Sequence, residues 1–409
     1  MRHLPRQWSS GRATACRQIP RLRLIFTCCH AALSSRQGAE EGIRADVDAH
    51  TVTLRREVWG STTASMPRQE IIRSSGVALG TILTIALAGR ALGQPPQEKP
   101  LAAPPHEAKT ISGALDRALP LIQQAAANYP KHRHCFSCHH QTLPMLALVT
   151  AKKSHRPIDE KLLQEQATFT QKSFQGEMNG LKSGKGIGGK AMTVGYGLWA
   201  LRLADWKADK VTEAMVTYLL KTQTEEGYWT GQVARPPLEE SHFTATVLAI
   251  QEMKRYATDS QKSSADAAIT KANAWLASAS AKDQEDKVFR LWGLFLAGSK
   301  SKKFITEAVL TGQQADGGWA QAEGMKSDAY ATGQTLFVLR EIGFDSREPA
   351  FQRGLQFLLQ SQCADGSWFV KTRSRPIQTY FDNGDPHGKD QFISTPATAW
   401  AAAALAAGD

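Results

Sequence analysis

An all-α fold of paired helices in two concentric layers is what this sequence predicts, and three observations predict it. From about Leu115 onward, apolar residues recur at spacings of three and four, and no convincing strand-like alternation interrupts them. The segments so marked alternate between greasy and charge-bearing, as buried inner and half-exposed outer helices would. One short phrase, built on Gln, Gly and Trp, recurs three times at helix ends.

The chain has 409 residues, 42% of them hydrophobic and 21% charged, which excludes wholesale disorder. Its net charge of +11 is unevenly spread. Residues 1–65 carry +5, residues 66–93 carry +2, and the remaining body of more than 300 residues carries only +4. A body so mildly basic gives no charge signal for nucleic acid as a partner.

Residues 66–93 have the anatomy of an export signal. Met66 opens a short stretch holding Arg68 and Arg73, an apolar run follows from Val77 to Ala88, and Ala91-Leu92-Gly93 offers small residues for cleavage before Gln94. That run of 12 residues is too short to span a bilayer comfortably. The Arg-rich residues 1–65 are therefore read as an N-terminal extension upstream of the true start at Met66. Residues 94–110 are a Pro-rich flexible lead-in. The expectation is an exported protein, periplasmic or secreted, with no transmembrane span in the mature chain.

Residues 111–409 form the folded domain. Twelve helices are expected with loose ends: 114–128, 140–153, 159–177, 191–204, 208–222, 242–256, 263–279, 285–298, 302–313, 328–342, 348–361 and 395–407. Clusters of Gly, Pro and Asp separate them. The even-numbered ones are more apolar, as in Val194 to Leu201 and Ala397 to Ala407.

The repeated phrase reads Gln223…Gly227-Tyr228-Trp229, Gln313…Gly317-Gly318-Trp319 and Gln362…Gly366-Ser367-Trp368, each after an odd-numbered helix. Gln can bond the loose carbonyls of a helix end, Gly permits the positive-φ turn, and Trp packs over the junction. Each phrase is expected to clasp neighbouring helix pairs. A second repeat marks inner-helix starts: Thr244-Ala245, Thr332-Gly333 and Thr398-Ala399.

Gln-x-x-x-Gly-x-Trp, three times over, resembles the QW repeat of squalene-hopene cyclases and the wider prenyltransferase and squalene oxidase repeat family, over roughly residues 110–409. The resemblance implies an (α/α)6 toroid with an apolar cavity for an isoprenoid or other apolar small molecule, and structural rather than catalytic QW phrases. The cyclases of that family protonate an alkene with an Asp of a DxDD-Thr-Ala motif, and no DxDD exists in this chain. Glu240 and Asp328 fall where the motif's first Asp would fall, ahead of Thr244-Ala245 and Thr332-Gly333. The donor position then holds His242 or Tyr330, whose imidazolium or phenol is too weak an acid for an unactivated alkene. Glu240, Asp328 and Asp390 are the candidate catalytic acids. The zinc ligands of protein prenyltransferases have no matching set here.

The other chemical signal is His134-Cys135-Phe136-Ser137-Cys138-His139-His140. Cys-x-x-Cys-His is the attachment sequence of c-type haem, with Cys135 and Cys138 as thioether donors and His139 as proximal iron ligand. A haem protein would also need a redox partner. Two alternatives stand beside it: zinc held by Cys135, Cys138 and His139 or His140 with a remote fourth ligand, and a local disulfide. The motif precedes the first inner helix, so Glu240, His242, Asp328 and the polar loop from Tyr380 to Gln391 should share its rim. His387 or His242 would supply a sixth iron ligand or a partner behind the first ligands, the alternative for each being a solvated loop residue or a helix cap. Gly184 to Lys190 contains GxGxxG but is read as a connection, because Ala191 stands where a phosphate loop needs Ser or Thr and no strand precedes it.

Overall fold

The computed structural model describes residues 110–231, 235–299, 302–375 and 379–409, with the backbone alone at 302 and 303. The helical domain lies within residues 89–409. The N-terminal extension, the export signal and the lead-in fall outside the described residues.

All twelve expected helices are present, and no strand occurs among the described residues. Six form the inner layer: α2 (Leu143–Lys153), α5 (Lys190–Leu203), α7 (His242–Tyr256), α9 (Gln284–Leu296), α11 (Ala329–Glu341) and α13 (Gln391–Gly408). They pack in that order, and α13 returns against α2 to close the ring. The outer helices are α1 (Ile111–His132), α3 (Glu160–Gly176), α6 (Lys210–Thr222), α8 (Asp259–Ser278), α10 (Lys302–Leu310) and α12 (Pro349–Ser361). Each lies over its inner neighbours: α1 on α13 and α2, α6 on α5 and α7, α12 on α11 and α13. The domain is an (α/α)6 toroid.

The two sequence textures follow from this packing. An inner helix has inner neighbours on both sides and an outer helix behind it, so it must be apolar nearly all round. In α11 every residue from Ala329 to Leu339 is buried. An outer helix buries one stripe, as α12 does with Phe351, Gly354, Leu355, Leu358 and Leu359. Small residues set the closest approach: a Cβ on Gly333 of α11 would come within 2.6 Å of the Trp400 and Ala401 backbone of α13.

Three details depart from expectation. A short helix, α4 (Met178–Ser183), follows α3 and packs on α6. The turn entering α2 is a π-helix, Cys138–Thr142. Helix α13 starts at Gln391, several residues before 395, and holds Pro396 in its second turn, where a proline removes one helical hydrogen bond.

The clasps have one geometry three times over. Gln223 Nε2 donates to Gly227 O and Ala268 O, Gln313 Nε2 to Gly317 O and Ala350 O, and Gln362 Nε2 to Gly366 O and Ala114 O. Each Gln thereby reaches across to the next outer helix: α8, α12 and, in the third copy, α1. Trp229, Trp319 and Trp368 are fully buried. Their indole N–H groups donate to Leu219 O, Val309 O and Leu358 O at 2.7–2.9 Å. Their backbone N–H groups donate to Thr246, Thr332 and Thr398 Oγ1. The first partner is thus Thr246, two residues past the Thr244 of the second repeat. Gly227, Gly317 and Gly366 have φ of +102°, +86° and +92°, and each lies against the backbone of the next outer helix. No helix of the described residues is long and apolar enough to cross a membrane.

Candidate functional site

The starts of the inner helices hold the chemistry. Ser241, Asp283 and Asp328 are the N-caps of α7, α9 and α11, their side chains accepting from Thr244, Asp286 and Ala331 N–H. Asp328, expected as a catalytic acid, is thus occupied as a cap. Gln321 Nε2 donates to its second oxygen at 2.9 Å, and burial pushes the carboxyl up to about 6. Glu240 is exposed in the turn before α7, where no buried acid chemistry is available to it. Asp390 Oδ1 accepts from Thr372 N–H at 2.8 Å and holds the loop entering α13.

The acid that sequence reasoning missed is Glu285, in the first turn of α9. It is 3% exposed. Thr244 Oγ1 donates to its Oε1 and Tyr330 Oη to its Oε2, both at 2.8 Å. Burial dominates over these bonds, and nearby Asp283 adds to it, so the carboxyl is pushed up to about 8 and is protonated at neutral pH. Thr244, set aside from the clasp, has its role here. Glu285 lies in Asp283-Gln284-Glu285-Asp286, which is DxDD with Glu at the third position. A search for that spacing with either acid would have found it.

Below Glu285 the interior turns aromatic. Phe289 and Trp292 follow on α9, Trp292 seven residues and about 10.5 Å along the helix. Trp292 meets Trp199 of α5 and Phe337 of α11, and Trp400 of α13 meets Trp199 and Phe337, with ring centroids 5.6–6.3 Å apart. Trp199, Trp292 and Phe337 also line a cavity of about 730 Å³ at the opposite rim, where the inner helices end. Near the acid, Tyr196 Oη and Gln334 Oε1 are buried without a hydrogen-bond partner, and so, in the turn that enters α2, are Gln141 Nε2 and His140 Nε2. Such groups mark places where water or a polar ligand group belongs.

The Cys-x-x-Cys-His segment lies at the same rim. Cys135 is exposed, its Sγ 3.5 Å from Tyr129 Oη, while Cys138 is buried, and the two are not bonded. Ser137 Oγ and His140 Nδ1 are 3.2 Å apart, and Tyr129 stacks on the His140 ring. Burial and the nearby Arg235 charge lower His140 to about 3. The His139 ring is enclosed by Phe392 and His140, with centroids 4.3 and 4.7 Å away. Attachment of a c-type haem through Cys135, Cys138 and His139 would require those rings to move aside. His139 and His140 line a cavity of about 560 Å³ with Tyr129, Phe381, Phe392 and the cations Arg235, Lys371 and Arg375.

His387 is not brought to this group. Its Nε2 lies 2.6 Å from Ser367 Oγ, beside Cys363 and Asp365 of the third clasp. The expected role as sixth iron ligand is corrected accordingly: Ser367 and the clasp hold the imidazole. His242 stacks on Tyr228, and its Nδ1 accepts from Gly231 N–H. The residue that does join Cys138 and His139 is Glu239, 100 residues along the chain and invisible to motif reading.

Part of the chain matches a known sequence profile, and several solved structures resemble it distantly. Residues 279–409 match the sequence profile of the squalene-hopene cyclase C-terminal domain, a stretch that contains two of the three clasps. No curated protein matches the chain. Among solved structures, a type II terpene cyclase from Scytonema, in complex with geranylgeranyl dihydroxybenzoate, is 13% identical with a TM-score of 0.47, over 72% of this chain and 99% of that one. An unsaturated glucuronyl hydrolase from Bacillus sp. GL1 is also 13% identical, with a TM-score of 0.42 over 61% of this chain and 84% of that one. An ent-copalyl diphosphate synthase from Streptomyces platensis is 14% identical, with a TM-score of 0.27 over 72% of this chain and 50% of that one.

Proposed function

We propose that this protein is a terpene-cyclase-like acid catalyst that protonates an isoprenoid alkene, with Glu285 as proton donor. One observation carries the reading: a carboxyl kept neutral by burial, at the third position of a DxDD-like phrase, at the start of an inner helix of the toroid. The profile match to a squalene-hopene cyclase domain, which includes α9 and Glu285, supports it.

The chemistry asks three things of the protein. The acid must carry its proton at neutral pH, and burial arranges that. At about 8 the carboxyl is by itself no stronger an acid than the imidazolium set aside at His242, so the drive for transfer must come from how the carboxylate and the cation are received. The carboxylate left behind must be received, and the Thr244 and Tyr330 hydroxyls already donate to both its oxygens. The carbocation must be stabilised without being quenched, and the faces of Trp292, Trp199, Phe337 and Trp400 lie deeper in the interior for that purpose. The proton adds to a terminal alkene, ring closure follows, and loss of a proton gives a product isomeric with the substrate.

Squalene and geranylgeranyl-bearing lipids, incubated with the purified chain in detergent, test the reading by mass spectrometry. Cyclised isomers are expected from the wild type. Glu285→Gln, with its fold intact, should form them roughly 10²–10⁴-fold more slowly. Equal product from Glu285→Gln, or no isomer from any of these substrates, rejects it.

A further inference from the structure

Cys138, His139 and Glu239 are three good metal ligands that the fold brings together from two distant stretches of chain. One ligand atom from each, a thiol sulfur, an imidazole nitrogen and a carboxylate oxygen, lies within 4.8 Å of the other two. Cys138 Sγ and His139 Nδ1 are already 3.4 Å apart. In a tetrahedral zinc site with bonds of about 2.0–2.3 Å, ligand atoms stand roughly 3.3–3.7 Å from one another. The first pair is at that spacing, and closing the rest needs movements of about an ångström.

The setting fits a metal better than it fits the three groups alone. Cys138 and His139 are each 6% exposed. Arg235 Nη1 is 3.4 Å from Glu239 Oε1. A carboxylate bound through one oxygen keeps the other for that arginine. Cys138 and His139 open the π-helical turn, and π-turns recur at functional sites.

We propose that Cys138, His139 and Glu239 form a zinc site with one coordination position open. All three line a cavity of about 340 Å³, whose wall also presents the Tyr129, Ser173 and Thr193 side chains. Three protein ligands and a solvent-facing fourth position is the pattern of a zinc ion that carries water, not of a closed structural site. Mixed sulfur, nitrogen and oxygen donors favour zinc over magnesium or calcium, which take oxygen alone. The proposal assigns no part to Cys135, whose Sγ faces Tyr129, or to His140, whose Nδ1 faces Ser137. It is independent of the acid role of Glu285.

The test uses the full chain without a histidine tag, produced both in an ordinary host and in one equipped to attach haem. After dialysis against a chelator and reconstitution, elemental analysis should find one zinc per chain. Cobalt in its place should give a near-ultraviolet thiolate-to-metal band and tetrahedral visible bands. Cys138→Ser should abolish the thiolate band, and Glu239→Gln should weaken metal binding by tenfold or more. Cys135→Ser should leave stoichiometry and spectrum unchanged. Should Cys138→Ser fail to fold, X-ray absorption of the wild-type zinc protein still decides, with one sulfur among the ligands expected. Loss of metal in Cys135→Ser, two sulfurs at the metal, no zinc uptake, or a covalent haem with a Soret band would each overturn the assignment.

Discussion

Glu285→Gln also tests the protonation state of the acid with no substrate present. The carboxyl is raised from 4.5 to about 8 in the folded chain. Between those values the folded state binds a proton that the unfolded state has released, so stability must fall as pH rises across the window. The stabilisation is fully present below pH 4.5 and gone above about 8. Each factor of ten in proton affinity is worth about 1.4 kcal/mol, so the contribution across the window is on the order of 5 kcal/mol. Gln keeps the shape and cannot ionise. Its oxygen can accept from one hydroxyl, and its amide can donate to the other, which has lone pairs to spare. Glu252 and Asp328, raised to about 7 and about 6, give the wild type a slope of the same sign, and the variant retains theirs. The wild-type-minus-variant difference therefore isolates Glu285. Urea unfolding at about pH 5 should find the two proteins close, and at about pH 8.5 the variant should be the more stable by several kcal/mol. Parallel pH profiles, or a gap that widens towards acid, would show that Glu285 ionises normally and would remove the basis for its role as a neutral donor.

Two further predictions concern the frame. Trp319→Ala should cost about 3–5 kcal/mol as a buried aromatic lost from the core, whereas Trp319→Phe, which keeps most of the ring and strands Val309 O, should cost about 1–3 kcal/mol; calorimetry or urea unfolding reads both. Iodoacetamide on the native chain should label Cys135 alone among the described cysteines, Cys138 and Cys363 reacting only after denaturation, because both are buried and burial raises both thiols; peptide mapping that finds Cys138 labelled first would contradict the packing of the π-turn.

Helices with a long period were readable from the sequence because the constraint on them is repeated many times. Every turn of α11 or α13 must be apolar, so a single exception cannot hide the pattern. Clasps were readable for the same reason, three copies of one geometry. Helix α4 is only six residues long and buries Leu181 alone, too little to register as a period. The site was partly readable. Cys138 and His139 announce themselves by adjacency, but Glu239 is joined to them through the fold. Glu285 was obscured because its phrase differs from the familiar motif by one methylene. An N-cap and a catalytic acid look alike at a helix start, and the cap bond from the Ala331 N–H to Asp328 is visible only in the structure. His387 misled because loop proximity to a rim does not fix where an imidazole points.

The third clasp differs from the other two in what it joins. Gln362 bonds Ala114 O and receives Arg117 Nη2 at 2.6 Å, and Gly366 lies on the Arg117 backbone, so the last outer helix is fastened to the first. In an open array of helix pairs, the terminal units have one neighbour each and fray, and amide exchange is fastest there. A closed ring has no terminal unit. Opening any one pair must break two interfaces, and α1 should exchange its amide protons as slowly as helices in the middle of the chain. An alanine at Gly366, where φ is +92°, would place its Cβ 2.6 Å from Arg117 Cβ and 2.7 Å from the Arg117 carbonyl oxygen. It would loosen the seam between α12 and α1 while α13 still packs on α1 and α2, so fast exchange should begin at that seam.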